Sequence, residues 1–293
     1  MGLKILQVNI QHLVNNHYIF NIELSKHNPD IILVNETALE NNAKFNLRGY
    51  TSLLSSSGQY SGVAIFVKIN LKYECISVPD INSLAIALYT TYGKIIISTS
   101  YAPPRIPIIP VATMNRLLNY HLPTLFISDL NARHPFFYGS FTNLRGKMLY
   151  DLINSRNLNY LGPNFNTYIS GNRTGRPDCI LSNQPFTIFH HLISQCSNVG
   201  SDHIPILFEF QTCPFKIFQK PKLNIHKLNI TGFKNDLKNV SFPNLDGAPV
   251  SEIDRQLEKV NSHIIKASND NAPSSKIEII KSYQPTPLVK RKL

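Results

Sequence analysis

Eight polar side chains stand where apolar runs give out: Asn9, Glu36, Tyr101, Asp129, Asn131, Asp178, Asp202 and His203. The clearest case is the stretch 125–135, Leu-Phe-Ile-Ser-Asp-Leu-Asn-Ala-Arg-His-Pro. Leu125-Phe126-Ile127 has the character of a buried strand, and Asp129 and Asn131 follow it two positions apart. Alternate strand residues share a face, so this spacing predicts that both polar groups point one way from the strand end. Taken alone, the segment reads equally well as an Asp/Asn turn. Four of the 11 acidic residues in 1–211 belong to the set, namely Glu36, Asp129, Asp178 and Asp202. Carboxylates converging on one rim repel each other unless a cation neutralises them. Oxygen donors from Glu and Asp, with Asn beside them, suit a hard divalent ion, Mg2+ first and Mn2+ as its substitute. Such an ion typically works on phosphate esters.

These groups can meet only if strands bring their ends together. Leu3–Asn9 alternates as a strand ending at Asn9. Residues 15–27 carry Tyr18, Ile19, Ile22 and Leu24 at roughly helical spacing, and Asn28-Pro29-Asp30 stops the helix. Ile31–Val34 is a second buried strand ending at Asn35-Glu36-Thr37. A helical crossover between parallel strands puts Asn9 and Glu36 at comparable ends. Residues 50–54, 62–67, 72–78, 84–89 and 94–100 are separated by turn signals and predict a meander of hairpins. Prolines after Tyr101 end it. A short helix is expected over 111–120. An amphipathic one is expected over 142–157, burying Leu144, Met148, Leu149, Leu152 and Ile153. Short β segments follow at 160–161, 167–169, 178–182, 187–195 and 206–210, the last entered through the polar turn Gly200-Ser201-Asp202-His203.

The apolar fraction of 43% with 10% aromatics is that of a globular chain. No apolar run reaches the ~18 residues needed to cross a bilayer, so no membrane partner is expected. The N-terminus lacks signal-peptide architecture. Cys75, Cys179, Cys196 and Cys213 are scattered without a Cys-x-x-Cys pair, which speaks against a zinc site and for an intracellular chain. The net charge is +11 and unevenly placed: residues 1–211 hold 15 Lys/Arg against 11 Asp/Glu, a difference of +4, and 212–293 hold 14 against 7, a difference of +7. That balance suggests a polyanionic partner, most simply nucleic acid. Prolines 214, 221, 243 and 249 break the later stretch, with helices expected at 231–238 and 250–267 and a Pro/Lys-rich linker at 284–293. The expected division is therefore 1–211 and 212–293.

Seven segments carry the polar set in order: LQVNIQ, NPDIILVNET, GVAIFVK, SYAPP, SDLNARHP, PDCILS and GSDHIPILF. Together they resemble the endonuclease/exonuclease/phosphatase family, and within it the endonuclease domain of non-LTR (LINE-like, jockey-like) retrotransposons. The resemblance covers about residues 1–211. It implies an α+β (α/β sandwich) fold of DNase I-like type, two mixed, mostly antiparallel β-sheets packed face to face with helices outside. It further implies a Mg2+-dependent endonuclease that nicks DNA and leaves a 3′ hydroxyl to prime reverse transcription. Glu36 would be the principal metal ligand, with Asn9 and Asp202 near it. Asp129 would orient or deprotonate the attacking water, and Asn131 would hold the phosphate or that water. His203 would donate to a phosphate oxygen, Asp178 would fix its tautomer, and Tyr101 would hydrogen-bond the phosphate. Arg105, Arg133, Arg173 and Arg176 lie in loops suited to DNA phosphates. Residues 212–293 would be a basic connector toward an absent reverse transcriptase, binding element RNA, and the site of action would be nuclear. Ser128 replaces the family's usual glycine, Leu130 its phenylalanine and Tyr138 a tryptophan, while Gln11 stands where some relatives have an acidic or amide group. The alternatives are another phosphoesterase of the family, acting on abasic sites or as a phosphatase, and an inactive truncated fragment that only binds nucleic acid.

Overall fold

A strand covered on both faces needs no polar alternation, and β1 (Leu3–Asn9) is buried along nearly its whole length. It runs parallel to β2 (Ile31–Asn35), with Asn9 opposite Asn35, and α1 (Leu13–His27) makes the crossover. Asn9 and Glu36 therefore leave neighbouring strands at the same end, as the sequence implies. The computed structural model describes residues 2–40, 44–55, 61–184, 191–216, 227–238, 240 and 249–272. On one side of the parallel pair come β4 (Val63–Lys68) and β3 (Tyr50–Ser55). On the other come β14 (Ile206–Phe210) and β13 (His191–Gln195), giving the order β13-β14-β1-β2-β4-β3.

The second sheet has the order β5-β6-β7-β8-β12-β9, formed by β5 (Tyr73–Ile76), β6 (Ser83–Thr90), β7 (Gly93–Ser100), β8 (Thr124–Asp129), β12 (Asp178–Ser182) and β9 (Asn159–Gly162). Its one parallel ladder is β7–β8. A separate hairpin joins β10 (Tyr168–Ser170) to β11 (Arg173–Gly175). Side chains of both sheets fill the layer between them: Leu3, Ile5, Leu33 and Ile65 from the first, Ile86, Ile97, Ile127 and Ile180 from the second. Each such burial stabilises the fold by about 1.5–3 kcal/mol. Outside the first sheet, Leu13, Phe20 and Leu24 of α1 cover Leu6, Val8 and Phe66. Outside the second, α2 (Val111–Leu118) and α3 (Leu144–Arg156) set Leu117, Leu149 and Ile153 against Ile96, Phe126 and Leu181. The result is the expected α+β sandwich of two mixed, mostly antiparallel sheets with helices outside.

Several local expectations change. The meander is divided, since β3 and β4 belong to one sheet and β5–β7 to the other. Tyr18, Ile19 and Ile22 of α1 are exposed, and the buried face carries Leu13, Phe20, Glu23 and Leu24. A helix closing over a sheet presents one narrow stripe, and the apolar residues off that stripe stay in solvent. Leu144 likewise opens α3 in solvent rather than joining its buried face. Of the strand expected over 187–195, residues 187–190 lie outside the described residues, as does 284–293. The chain divides into two compact units, Met1–Ile217 and Phe218–Leu293, and the second contains α4 (Ile230–Lys238) and α5 (Val250–Asn271). The α5 helix runs past Ala267, where its expected end lay.

One junction fixes the loop that leaves β8. Asn143 caps α3, its Oδ1 accepting from Gly146 N at 2.7 Å and from Arg133 N at 2.9 Å. Asn143 N returns a bond to the Arg133 carbonyl at 3.0 Å. A Cβ on Gly146 would overlap that carbonyl. Alanine is a better helix former than glycine by ~1 kcal/mol, yet we expect Gly146→Ala to destabilise by about 1–3 kcal/mol through overpacking. The measure is a lowered urea midpoint at unchanged slope; a raised midpoint would contradict this packing.

Candidate active site

The antiparallel register of β8 and β12 places Asp129 directly opposite Asp178, and Tyr101 bridges to Asp129 from the other side. Three polar residues thus sit side by side on the rim of the second sheet. Asn9 and Glu36 hold the facing rim of the first, while Asp202 and His203 approach just before β14. Bonds across the gap join the two rims. Asn9 Nδ2 donates to Asp129 Oδ2 at 2.9 Å, Gln7 Nε2 donates to Asp178 Oδ1 at 2.8 Å, and the Tyr101 hydroxyl donates to Glu36. Asp178 Oδ2 accepts from Thr167 Oγ1 at 2.5 Å and lies 3.1 Å from His203 Nδ1. The other imidazole nitrogen, Nε2, lies 3.8 Å from Asp129 and 3.9 Å from Asp202. Tyr168 packs edge-on against this ring. Ligand atoms of Asp129, Asp178 and His203 lie within 4.8 Å of one another.

Burial governs the protonation of this group. Asp129 is fully buried, and that desolvation, with the Asp178 charge beside it, pushes its carboxyl up to about 7 against the pull of His203 and the Asn9 amide. Desolvation alone would press the His203 imidazole down. The hydrogen-bonded Asp178 carboxylate, with Asp129 and Asp202, outweighs it and pushes His203 up to about 10. The Tyr101 hydroxyl is raised by burial and by its bond to Glu36. The rim's backbone is also constrained. Gln11, His12, Glu36, Ala38 and Asn131 all have positive φ, between 45° and 85°. Non-glycine residues adopt that region at a cost of order 1–3 kcal/mol, and such positions cluster at functional sites. Gln11, His12, Glu36 and Ala38 line one open depression.

The structure brings together Asn9, Asp129, Asp178, Asp202 and His203, and links Glu36 to Tyr101. Asn131 departs from the alternation expected for it. The strand ends at Asp129, and Asn131 takes φ 48°, its N donating to Asp129 Oδ1 at 3.1 Å and its amide to the Ala102 carbonyl at 3.3 Å. The turn reading of that segment holds, and the Asx turn sits inside the rim. The unusual Ser128 has a structural use, its Oγ accepting from Ser100 N at 3.0 Å, and Leu130 is buried under α2 and α3. Arg176 lies over the Tyr138 ring at 4.4 Å and Arg133 over Phe141 at 5.2 Å.

Three participants escaped the sequence reading, and a fourth, Gln11, was noted there without a role. Gln7, Asn35 and Thr167 are buried and bonded to the site, and Gln11 joins two of its members. Gln11 N donates to Asn9 Oδ1 at 3.2 Å and its Nε2 to Asp202 Oδ1 at 2.6 Å. Gln7 had a legible signal, since it lies two residues before Asn9 and so shares its face inside an apolar strand. Thr167 had none, because only the fold sets it beside Asp178.

Residues 95–207 match the model of the endonuclease-reverse transcriptase family. By sequence and fold, the chain resembles non-LTR retrotransposon endonucleases. It is 26% identical over 298 residues to an RNA-directed DNA polymerase from the mobile element jockey of Drosophila melanogaster, which covers 98% of the chain and 32% of that protein. A jockey polymerase of Drosophila funebris is 22% identical over 89% of the chain and 29% of its own length. The chain therefore spans about a third of the length of these curated relatives. Among solved structures, the endonuclease domain of TRAS1, a telomere-specific non-LTR retrotransposon, superposes with TM-score 0.62 at 18% identity, covering 72% of this chain and 98% of that one. An AP endonuclease from Archaeoglobus fulgidus gives 0.53 at 18% identity, covering 71% and 99%. The sandwich is thus DNase I-like.

The raised His203 has a consequence for stability. A histidine whose folded pKa exceeds its unfolded value contributes stability below about 6.5, and the contribution is lost as pH rises toward about 10. In chelator, wild-type stability should fall between pH 7 and 10 by ~2–4 kcal/mol more than that of His203→Gln, read as urea midpoints at each pH. Parallel pH curves for the two proteins would show that the imidazole is not held protonated.

Proposed function

We propose that residues 1–211 are a divalent-metal-dependent DNA endonuclease of non-LTR retrotransposon type, which nicks one strand by phosphodiester hydrolysis and leaves a 3′ hydroxyl for target-primed reverse transcription. The observation that carries this reading is the convergence of buried Asp129, Asp178 and His203 with Asn9, Glu36 and Asp202 on one rim. In the reaction a water oxygen bonds to phosphorus, the bond from phosphorus to the 3′ oxygen breaks, and the leaving oxygen takes up a proton. Asp129, raised to about 7, is poised near neutral pH to take the water's proton. His203 Nδ1 faces Asp178, leaving Nε2 to donate to a phosphate oxygen as charge develops. The Tyr101 hydroxyl would hydrogen-bond the same phosphate, and Asn131 would hold it or the water in line.

The donor set fits a hard cation. Glu36, Asn9 and Asp202 would hold Mg2+ or Mn2+ through oxygen, and Gln11 draws the latter two together by bonding both. When bound, the ion supplies Lewis-acid polarisation of the phosphate and stabilises the leaving oxygen. Arg133, Arg173 and Arg176, with Arg105, would track the DNA backbone. Residues 212–293, at +7 from 14 Lys/Arg against 7 Asp/Glu, would form the basic connector toward a reverse transcriptase and bind element RNA. The place of action would be nuclear, where the DNA target lies.

A supercoiled-plasmid assay tests the reading. Wild type with Mg2+ should give nicked circles and EDTA should abolish them. Asp129→Ala and His203→Ala should each lose at least ~100-fold in rate. Nicking that survives both substitutions would refute the assigned site. Cleavage confined to abasic DNA would move the chemistry to repair-type phosphodiester cleavage, and salt-dependent DNA binding without nicking would favour a non-enzymatic fragment.

A further inference from the structure

Away from the carboxylate rim, Glu23, His27 and Cys196 bring a carboxylate oxygen, an imidazole nitrogen and a thiol sulfur within 4.8 Å of one another. Glu23 and His27 lie four residues apart on α1, so helix geometry puts both on one face. Cys196 directly follows β13, and its backbone N donates to the Pro205 carbonyl at 2.9 Å. Its position is therefore set by the same short segment that carries Asp202 and His203. Glu23 is 2% exposed and Cys196 8%. Nothing in the proposed hydrolysis uses any of the three.

A buried carboxylate requires a positive or donating partner. Lys26 Nζ stands 2.9 Å from Glu23 Oε2, while Ser197 N and His27 Nε2 reach Oε1 at 2.8 and 3.0 Å. That pairing satisfies the carboxylate, while the thiol beside it shares an apolar cluster with Leu6, Leu24 and Leu207 and is hydrogen-bonded to the Leu207 backbone. The Lys26 side chain is 52% exposed, and its flexible stem allows the ammonium to move out to water. The cluster also lies in the closing turns of α1, where unpaired backbone carbonyls favour a cation.

The geometry points to a Zn2+ site made by Glu23, His27 and Cys196, with water as the fourth ligand. A mixed oxygen, nitrogen and sulfur set containing a thiolate selects a borderline ion over Mg2+ or Ca2+. Binding forms three protein–metal bonds in place of waters of the hydrated ion, releases the Cys196 proton to water, breaks the His27–Glu23 hydrogen bond so that the imidazole ligates through its unprotonated nitrogen, and displaces the Lys26 ammonium from Glu23, with no change of oxidation state. The bound ion ties the end of α1 to the connection between β13 and β14 and keeps one position open to water, and the site stands independently of the nuclease reading. The wide spacing of Cys196 from residues 23 and 27 hides it from a search for Cys-x-x-Cys pairs.

The test uses the full chain freed of metal, titrated with Co2+ as a spectroscopic stand-in and with Zn2+ against a chromophoric chelator. Wild type should show a near-ultraviolet thiolate-to-cobalt charge-transfer band and bind one Zn2+ equivalent at this site. Cys196→Ser should lose the band, and both it and His27→Gln should weaken that equivalent at least ~10-fold. Asp129→Asn, which alters the other cluster, should leave band and equivalent in place. No band in wild type, or the same band and affinity in Cys196→Ser, overturns the proposal and leaves an ion-paired helix end only. Should Cys196→Ser fail to fold by circular dichroism, the partly exposed His27→Gln decides alone.

Discussion

Two carboxylates face each other across adjacent strands with almost no access to water, and the rest of the rim is arranged around that fact. Asp129 and Asp178 are paired by register, not by loop conformation, so neither can turn away from the other. Their mutual repulsion in a low-dielectric gap is met in two ways. Polar side chains of the facing sheet donate to them, Asn9 to Asp129 and Gln7 to Asp178. His203 sits against both and is drawn toward its charged form by them. Removing one member of such a network leaves another uncompensated, which is why buried polar groups of this kind act together.

This constraint couples fold to chemistry. The two sheets are held together by apolar packing over most of their area, but at one end the packing gives way to hydrogen bonds that cross the gap. Gln7 extends the pattern inward: its Nε2 also donates to Asn35 Oδ1, and Asn35 passes the link to Thr99 Oγ1. The Gln7 Oε1 is buried without a partner among the described residues, a cost that a purely structural seam would have no reason to carry. Left-handed backbone at Glu36 and Asn131 adds further cost at the same rim. Stability spent at one end of a sandwich is the usual mark of a site shaped by function.

Much of this was legible in the residues. The parallel opening from β1 through α1 to β2 followed from period and stop signals, and it alone predicted that Asn9 and Glu36 share an end. The exact span of β12 and of β14 followed from apolar runs bounded by polar turns. What the chain order could not convey was pairing between distant segments. Nothing in the hairpin signals told that β4 and β5 part company into different sheets. The helical spacing of Tyr18, Ile19, Ile22 and Leu24 did not tell which face of α1 is buried, because apolar residues outnumber the positions that a sheet can cover. Asn131 was expected to follow the strand's alternation, but an Asx turn from Asp129 ends the strand first. Thr167 reaches Asp178 only because the β10 region lies against the segment of His203.

On the function proposed above, Asp129, Asp178 and His203 would hold and move protons, while Glu36, Asn9 and Asp202 would bind the cation. Asp178 already faces an imidazole drawn toward its charged form, whereas Glu36 faces a neutral Tyr101 hydroxyl, and Asp202 lies between, 3.9 Å from that imidazole and bonded to Gln11. Anomalous scattering from crystals grown with Mn2+ locates the cation without reference to activity. A peak is expected within coordination distance of Glu36 and Asp202 oxygens. A peak held instead by Asp129, Asp178 and His203, or none on the rim, would contradict it.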